Sequence, residues 1–186
     1  MTRRLPPALP RLLLLASAAA SLSACGLLGG GGESPSPRGA TARASFVNAQ
    51  GQPAGTATLT STGDGVFINA QLQGLPEGTH AMHVHQTGRC DPPFESAGGH
   101  FNPANREHGF LNPAGQHAGD LPNITVRSDG TASADVFAPG LTLTGGPNAL
   151  LDGDGSALVV HAGVDDYRSN PAGNAGPRIA CGVVAR

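Results

Sequence analysis

The chain has 186 residues and a formal net charge of -2, with 39% hydrophobic and 13% charged residues, which is typical of one folded domain and not of a disordered or membrane-spanning protein. All eleven basic residues are arginines scattered from Arg3 to Arg186, so they do not form the basic surface that nucleic-acid binding requires. The 28 glycines and 16 prolines favour short strands and turns over helices.

The N-terminal segment has the order of a bacterial export signal. Two arginines, Arg3 and Arg4, precede an apolar run, Leu12 to Ala20, which is too short to span a bilayer. The run ends in Leu-Ser-Ala-Cys-Gly, which resembles a lipobox and predicts that residues 1–24 are removed and Cys25 is lipidated. Ordinary secretion with an incidental Cys25 is the alternative. Lipidation would tether the protein to a membrane of the bacterial cell envelope, in the periplasm or on another extracytoplasmic face.

Residues 25–40 are expected to form the lipidated cysteine and a flexible Gly/Ser/Pro linker. From residue 41 the pattern changes to the alternation of half-buried strands, as in Ala42, Ala44 and Phe46. Turn signals then separate predicted strands around residues 57–60, 66–72 and 80–86.

A long irregular stretch, Thr87 to Pro122, follows these strands, and a loop of this length inside a domain is usually functional. Further strands are predicted at 123–127, 131–137, 156–161 and 178–184, with a second irregular loop at 162–177. Residues 41–186 are therefore expected to form an all-β domain: an eight-stranded antiparallel Greek-key barrel or sandwich, immunoglobulin-like in architecture, with two long functional loops.

The chain contains three cysteines, and an exported protein leaves one unpaired unless another process uses it. Lipidation would use Cys25. Cys90 and Cys181 then remain as a plausible disulfide in an oxidising compartment, with two separate buried thiols as the alternative.

Six of the seven histidines fall in or beside the irregular loops. His83 and His85 form a His-x-His pair whose side chains share one face of a strand, so they could share a metal; alone, this pair is more often an exposed polar face. The loop supplies three nitrogens and one oxygen, a closed set suited to structural zinc. These donors are His100, His108, His117 and Asp120. An unrelated group of loop histidines is the alternative.

At these residues the sequence resembles the copper/zinc superoxide dismutase family over essentially all of Thr41 to Arg186. The matching segments are AMHVH (81–85), GGHFNP (98–103), HG (108–109), HAGDL (117–121), LVVH (158–161) and GNAGPRIACG (173–182). The resemblance implies one copper and one zinc per subunit. The implied copper ligands are His83, His85, His100 and His161, and the implied zinc ligands are His100, His108, His117 and Asp120.

The resemblance also implies the chemistry: superoxide is converted to dioxygen and hydrogen peroxide. His100 would bridge the metals and donate a proton, and Arg178 would attract and orient the anion. Asp165 would link a copper-binding and a zinc-binding imidazole, with an exposed loop acid as the alternative, and Cys90 and Cys181 would form the family's disulfide. His80 would be a structural histidine bonded to backbone.

The chief rival is a non-catalytic copper-binding or delivery module of the same fold, which predicts loss of a ligand or of Arg178. A copper-only enzyme predicts absent zinc ligands, and a zinc hydrolase requires an open zinc position. Asn123-Ile124-Thr125 matches a glycosylation sequon, which the bacterial signal marks as a chance match at a strand start. The loop 162–177 lacks the lysine and glutamate guides of many eukaryotic relatives. Both a monomer and a homodimer remain open.

Overall fold

The structure, a computed structural model, describes residues 1–2 and 34–186. The predicted signal peptide, Cys25 and most of the predicted linker therefore lie outside the described residues. Within the described part of the chain, no helix has the length and apolar character needed to cross a membrane. All of the described strands belong to one compact unit, Gly32–Arg186.

The described residues form nine β-strands and one 3-10 helix, Glu95–Ala97. The strands are β1 Thr41–Asn48, β2 Pro53–Ser61, β3 Gly65–Leu72, β4 Gly78–His80, β5 Met82–His85, β6 Ile124–Val126, β7 Ala132–Pro139, β8 Ala157–His161 and β9 Arg178–Ala185.

All strand pairings are antiparallel. Seven strands form one sheet in the order β5-β8-β9-β1-β2-β3-β7, and β4 pairs with β6. A tight turn joins β6 to β7, in which Arg127 N donates to Thr131 O at 2.8 Å. The sheet curls around its core into a barrel, so the predicted all-β Greek-key class is confirmed.

The first strand shows why the alternating pattern folds this way. Ala42, Ala44 and Phe46 are each 1% exposed, while the residues between them face outward. Phe46 lies against Gly182 of β9, where an added Cβ would approach the ring to 3.1 Å. Burial of this phenylalanine contributes roughly 2 to 3 kcal/mol, and glycine opposite provides the space.

The single strand predicted at residues 80–86 is instead two strands, so the part of the chain that the structure describes has nine strands where eight were expected. Ala81 separates β4, which pairs with β6, from β5, which pairs with β8. The main chain of Ala81 binds elsewhere: its N–H donates to Gly163 O at 2.8 Å and its oxygen accepts from His161 N at 2.9 Å. The chain thus passes from one sheet to the other just before the His-x-His pair.

The C-terminal part of the predicted linker contacts the domain, which differs from the expected free tether. Ser36 Oγ lies 2.8 Å from Thr144 Oγ1, and Thr144 Oγ1 donates to Ser34 O at 3.1 Å. Gly39 N donates to Ser61 O at 2.7 Å. These bonds extend the folded domain toward the N-terminus, and we call residues 34–40 the strap.

Candidate metal centre

The His-x-His pair lies on β5, next to β8 in the sheet. His83 and His85 are buried on the loop-covered side, and Val84 is buried in the hydrophobic core. His161 ends β8 and pairs with Arg178 at the start of β9. Three neighbouring strands therefore deliver these side chains to one end of the sheet.

The long loop is attached to β5 by a closed ring of three backbone hydrogen bonds, which we call the backbone ring. Val84 N donates to Gly119 O, Gly119 N donates to Phe101 O, and Phe101 N donates to Val84 O, each at 2.8 Å. Each of the three residues is next in sequence to one of the clustered side chains. A Cβ on Gly119 would lie 2.3 Å from Val84 O, so the close approach requires glycine there.

Four buried histidines form the first cluster, which we call the four-histidine cluster: His83, His85, His100 and His161. One nitrogen from each lies within 4.8 Å of the others. His85 Nε2 is 3.3 Å from His161 Nε2. Their opposite nitrogens face carbonyl oxygens, at 2.9 Å from His85 to Gly98 and 3.1 Å from His161 to Gly176. These carbonyls orient both rings with Nε2 toward the cluster centre.

Four further donors form the His3Asp cluster: His100, His108, His117 and Asp120. Asp120 Oδ1 lies 2.9 Å from Nδ1 of His100, 2.9 Å from Nδ1 of His108 and 3.2 Å from Nδ1 of His117. His117 Nδ1 is 3.3 Å from His100 Nδ1. Four tetrahedral ligands at about 2.0 to 2.1 Å from zinc are separated from each other by about 3.3 Å. The donor spacing is close to that of a tetrahedral zinc site.

Two buried nitrogens of the four-histidine cluster have no hydrogen-bond partner, His83 Nδ1 and His100 Nε2. A buried polar atom without a partner costs roughly 1 to 3 kcal/mol. A metal ion bound to these nitrogens would remove that cost, so the four-histidine cluster fits a metal ion. His100 takes part in both clusters, with Nδ1 among the His3Asp donors and Nε2 on the other side.

Asp165 connects the two clusters from the second irregular loop. Its Oδ2 accepts from His83 Nε2 at 2.8 Å, and its Oδ1 accepts from His108 Nε2 at 2.9 Å. The carboxylate is buried, with 0% of its side chain exposed. Asp165 therefore fixes the orientation of one imidazole in each cluster.

Burial depresses the pKa of all four imidazoles of the four-histidine cluster. It lowers the pKa of His85 to about 2, with a further contribution from nearby His100, and it lowers the pKa values of His100 and His161 to about 4 each. These rings are therefore neutral at pH 7, which is the protonation state that binds a metal ion.

Hydrogen bonds between the carboxylates of Asp120 and Asp165 and the histidines oppose the effect of burial on the pKa values. Burial would raise the pKa of Asp120, but hydrogen bonds from three histidines lower it well below the usual range. For His108, burial alone would lower the pKa, but hydrogen bonds to Asp120 and Asp165 raise it to about 9. Burial would also raise the pKa of Asp165, but hydrogen bonds from His108 and His83 lower it. Both carboxylates are thus ionised at neutral pH and supply negative charge for a cation.

A cavity of about 340 Å³ opens onto the four-histidine cluster and is lined by His85, His100, His161 and Arg178. Arg178 is the one basic side chain among the described residues that line it. Its Nη1 donates to Phe94 O at 2.5 Å, its Nη2 donates to Gly98 O at 2.7 Å, and Glu95 Oε2 lies 3.7 Å away. These contacts hold a positive charge at the cavity wall.

The loop that presents these carbonyl oxygens is closed by a disulfide between Cys90 and Cys181. Cys181 lies three residues after Arg178 on β9, so the cross-link ties the loop to the strand that carries the arginine. The predicted disulfide is confirmed, and the alternative of two separate thiols is wrong.

Three further residues, His80, Asn123 and Tyr167, make hydrogen bonds to residues of the two clusters or to Asp165. The two ring nitrogens of His80 lie 2.9 Å from backbone oxygens of Pro76 and His161, as expected for a structural histidine. Sequence reasoning missed Asn123 and Tyr167, which contact Asp165. The single tyrosine of the chain, placed two residues after Asp165, was the only available signal.

Comparison with known proteins gives one consistent result. The family model described as copper/zinc superoxide dismutase matches residues 53–184. A relative from Aquifex aeolicus named Superoxide dismutase [Cu-Zn] 1 is 51% identical over 144 residues, covering 76% of this chain and 85% of the relative.

Solved structures agree with these sequence matches. A crystal structure of a SOD-like protein from Bacillus subtilis has 43% identity and a TM-score of 0.73, covering 76% of this chain and 96% of that chain. The Cu/Zn superoxide dismutase from Brucella abortus has 30% identity and a TM-score of 0.63, covering 77% of this chain and 99% of that chain.

Proposed function

The chain belongs to the copper/zinc superoxide dismutase family, and we propose that the four-histidine cluster holds its copper and the His3Asp cluster its zinc, one of each per chain. The observation that carries these assignments is that both complete donor sets are buried, share His100, and leave the two partnerless nitrogens on the copper side. Imidazole nitrogens suit copper, and three nitrogens with one carboxylate suit tetrahedral zinc.

The reaction consumes two superoxide anions and two protons and yields dioxygen and hydrogen peroxide. Copper held by the four-histidine cluster would supply the one-electron redox chemistry. The protein binds the anion, brings it to the histidines and provides a proton. A structural role suits the zinc because all four positions of the His3Asp cluster are protein donors.

Arg178 attracts and orients the substrate. Its guanidinium carries a positive charge and lines the same cavity as His85 and His161. Arg168, the arginine of the irregular loop 162–177, donates to Leu111 O at 3.3 Å, so it is turned toward the loop that carries the His3Asp donors. Capture of the anion therefore rests mainly on Arg178.

His100 would supply a proton from Nε2 when that nitrogen does not hold copper, since one ring nitrogen cannot hold a metal ion and a proton at once. This nitrogen is buried and partnerless, and the ring lines the cavity. Nδ1 of the same ring stays among the His3Asp donors, which fixes the ring while Nε2 gains or loses its proton. The departing peroxide thus has a proton donor beside it.

The rival roles explain fewer of the observations. A copper-delivery module does not need Arg178 at the cavity, and a copper-only enzyme does not need the His3Asp cluster. A zinc hydrolase requires a free coordination position, whereas the His3Asp cluster offers four protein donors. The dismutase function accounts for all of these residues together.

Metal content and turnover measured on one sample test this function. The purified domain, residues 34–186, loaded with copper and zinc, should contain one ion of each per chain by mass spectrometry and should consume superoxide in a cyanide-sensitive reaction. Stoichiometric metal without turnover would contradict the enzyme and favour the copper-binding module.

We also propose that a lipid on Cys25 anchors the protein in the bacterial cell envelope, with residues 1–24 removed. The order of arginines, apolar run and cysteine supports this.

Replacement of Cys25 by serine should abolish acylation of the full chain, because Cys90 and Cys181 are already joined. Metabolic labelling with a radioactive fatty acid in a bacterial host, followed by membrane fractionation, measures this directly. Wild-type chain should carry label and sediment with membranes, and Cys25→Ser should carry none. Label retained by Cys25→Ser, or absent from the wild type, would overturn the anchor.

A further inference from the structure

Asp165 forms a closed set of hydrogen bonds with two other residues, Asn123 and Tyr167. Asn123 binds both main-chain groups of Asp165: Asp165 N donates to Asn123 Oδ1 at 2.9 Å, and Asn123 Nδ2 donates to Asp165 O at 3.0 Å. Asp165 Oδ1 accepts from Tyr167 N at 2.7 Å, and Tyr167 Oη accepts from Asn123 N at 2.7 Å. Every bond joins two of these three residues.

The set connects the barrel to a loop that has no strand of its own. Asn123 immediately precedes β6, which is paired to β4, so its main chain is fixed by the sheet. Asp165 lies in the irregular loop 162–177. The Asn123 amide binds the main chain of Asp165 itself. The barrel therefore fixes the main-chain position from which the Asp165 side chain extends.

Tyr167 adds a second connection, to the loop that carries the His3Asp donors. Its ring lies 5.3 Å from the ring of Phe110, and its carbonyl oxygen accepts from Leu111 N at 3.0 Å. Its φ of 60° is unusual for a residue with a side chain, and these contacts on several sides hold it there. The Asp165 carboxylate is therefore fixed relative to both irregular loops.

We propose that Asn123 is a positioning residue that, together with Tyr167, aims the Asp165 carboxylate at His83 and His108 and so sets metal binding in both clusters. The inference rests on the proposed ligand roles. Partners that orient metal-binding histidines typically change metal affinity by about 10- to 100-fold when removed. Asn123 acts one step further out, by holding the residue that makes those bonds.

Asn123→Ala is the direct test, with Asn69→Ala as the matched control. Asn69, which lies within β3, also makes an amide hydrogen bond, to Asp135 on the outer face of β3 and β7. Asn123→Ala should lower zinc affinity about 10-fold or more, measured by competition with a chromophoric chelator. Its copper electron paramagnetic resonance spectrum should change, because His83 loses its fixed orientation. Asn69→Ala should match the wild type in both.

Tyr167→Phe provides a second variant if Asn123→Ala does not fold. It removes only the hydroxyl that accepts from Asn123 N, and a smaller change of zinc affinity and copper spectrum in the same direction is expected. A variant that loses thermal stability while its zinc affinity and copper spectrum stay those of the wild type would overturn the proposal, since Asn123 would then only support the fold. Wild-type chain that binds neither metal would instead refute the ligand assignment.

Discussion

Replacing His161 with alanine should abolish superoxide consumption while one zinc ion per chain stays bound. His161 contributes only to the four-histidine cluster, where its Nε2 lies 3.3 Å from His85 Nε2. Removal of residues that merely orient ligands costs about 10- to 100-fold, so loss of a ligand should cost more than about 100-fold in activity. Metal content by mass spectrometry and dismutation rate, measured on the same loaded sample, give the result.

The matched variant is His117→Ala, which removes a donor from the His3Asp cluster alone. It should lose zinc and keep copper, with part of its dismutation activity. The two variants together separate the clusters. Copper and turnover retained by His161→Ala would show that this histidine is not a copper ligand, and zinc lost from His161→Ala would show that the clusters do not bind independently.

Loss of the Cys90–Cys181 disulfide should produce the largest change in stability. The bond closes a loop with a sequence separation of 91, and on the chain-entropy model such a cross-link stabilises by about 4 to 5 kcal/mol. For a domain of this size the double variant Cys90→Ser with Cys181→Ser should melt roughly 10 to 20 °C lower. Thermal unfolding of the metal-free domains by circular dichroism compares the two.

The same double variant should also capture superoxide more slowly, because the freed loop carries the carbonyl oxygens of Phe94 and Gly98 that hold Arg178. Arg178→Gln separates the two effects. It keeps the disulfide and should melt near the wild type, yet its rate should fall about 10-fold and lose much of its dependence on ionic strength. A double cysteine variant with wild-type melting would contradict the structural role of the cross-link.

The periodic part of the fold could be predicted from sequence because burial on one face imposes alternation. Ala42, Ala44 and Phe46 show it on β1. The break at Ala81 could not be predicted, since both halves of the segment look like strand and only the partners of its main chain, at Gly163 and His161, divide it. The docked strap was missed for a similar reason: glycine, serine and proline read as a linker, and its partner Thr144 is distant in sequence.

The candidate site divides in the same way. A group of histidines and an aspartate in one loop can be recognised from sequence as possible metal ligands. The structure brings every donor predicted from sequence into the two clusters. Residues that act through main-chain atoms cannot be recognised from their side-chain chemistry in the sequence. Asn123 carried only a glycosylation pattern, and the carbonyl oxygens around Arg178 depend on backbone path, which the side-chain pattern does not encode.

The backbone ring at Val84, Phe101 and Gly119 should let the metal centre keep its fold when side chains around it are replaced. Its three bonds join main-chain atoms only, so they survive exchange of the neighbouring side chains, provided that Gly119 is kept. We therefore expect that the donors of the two clusters can be replaced one at a time while these main-chain bonds remain. We expect this frame to serve as a scaffold on which ligand substitutions change the preferred metal while the barrel and its loops stay folded.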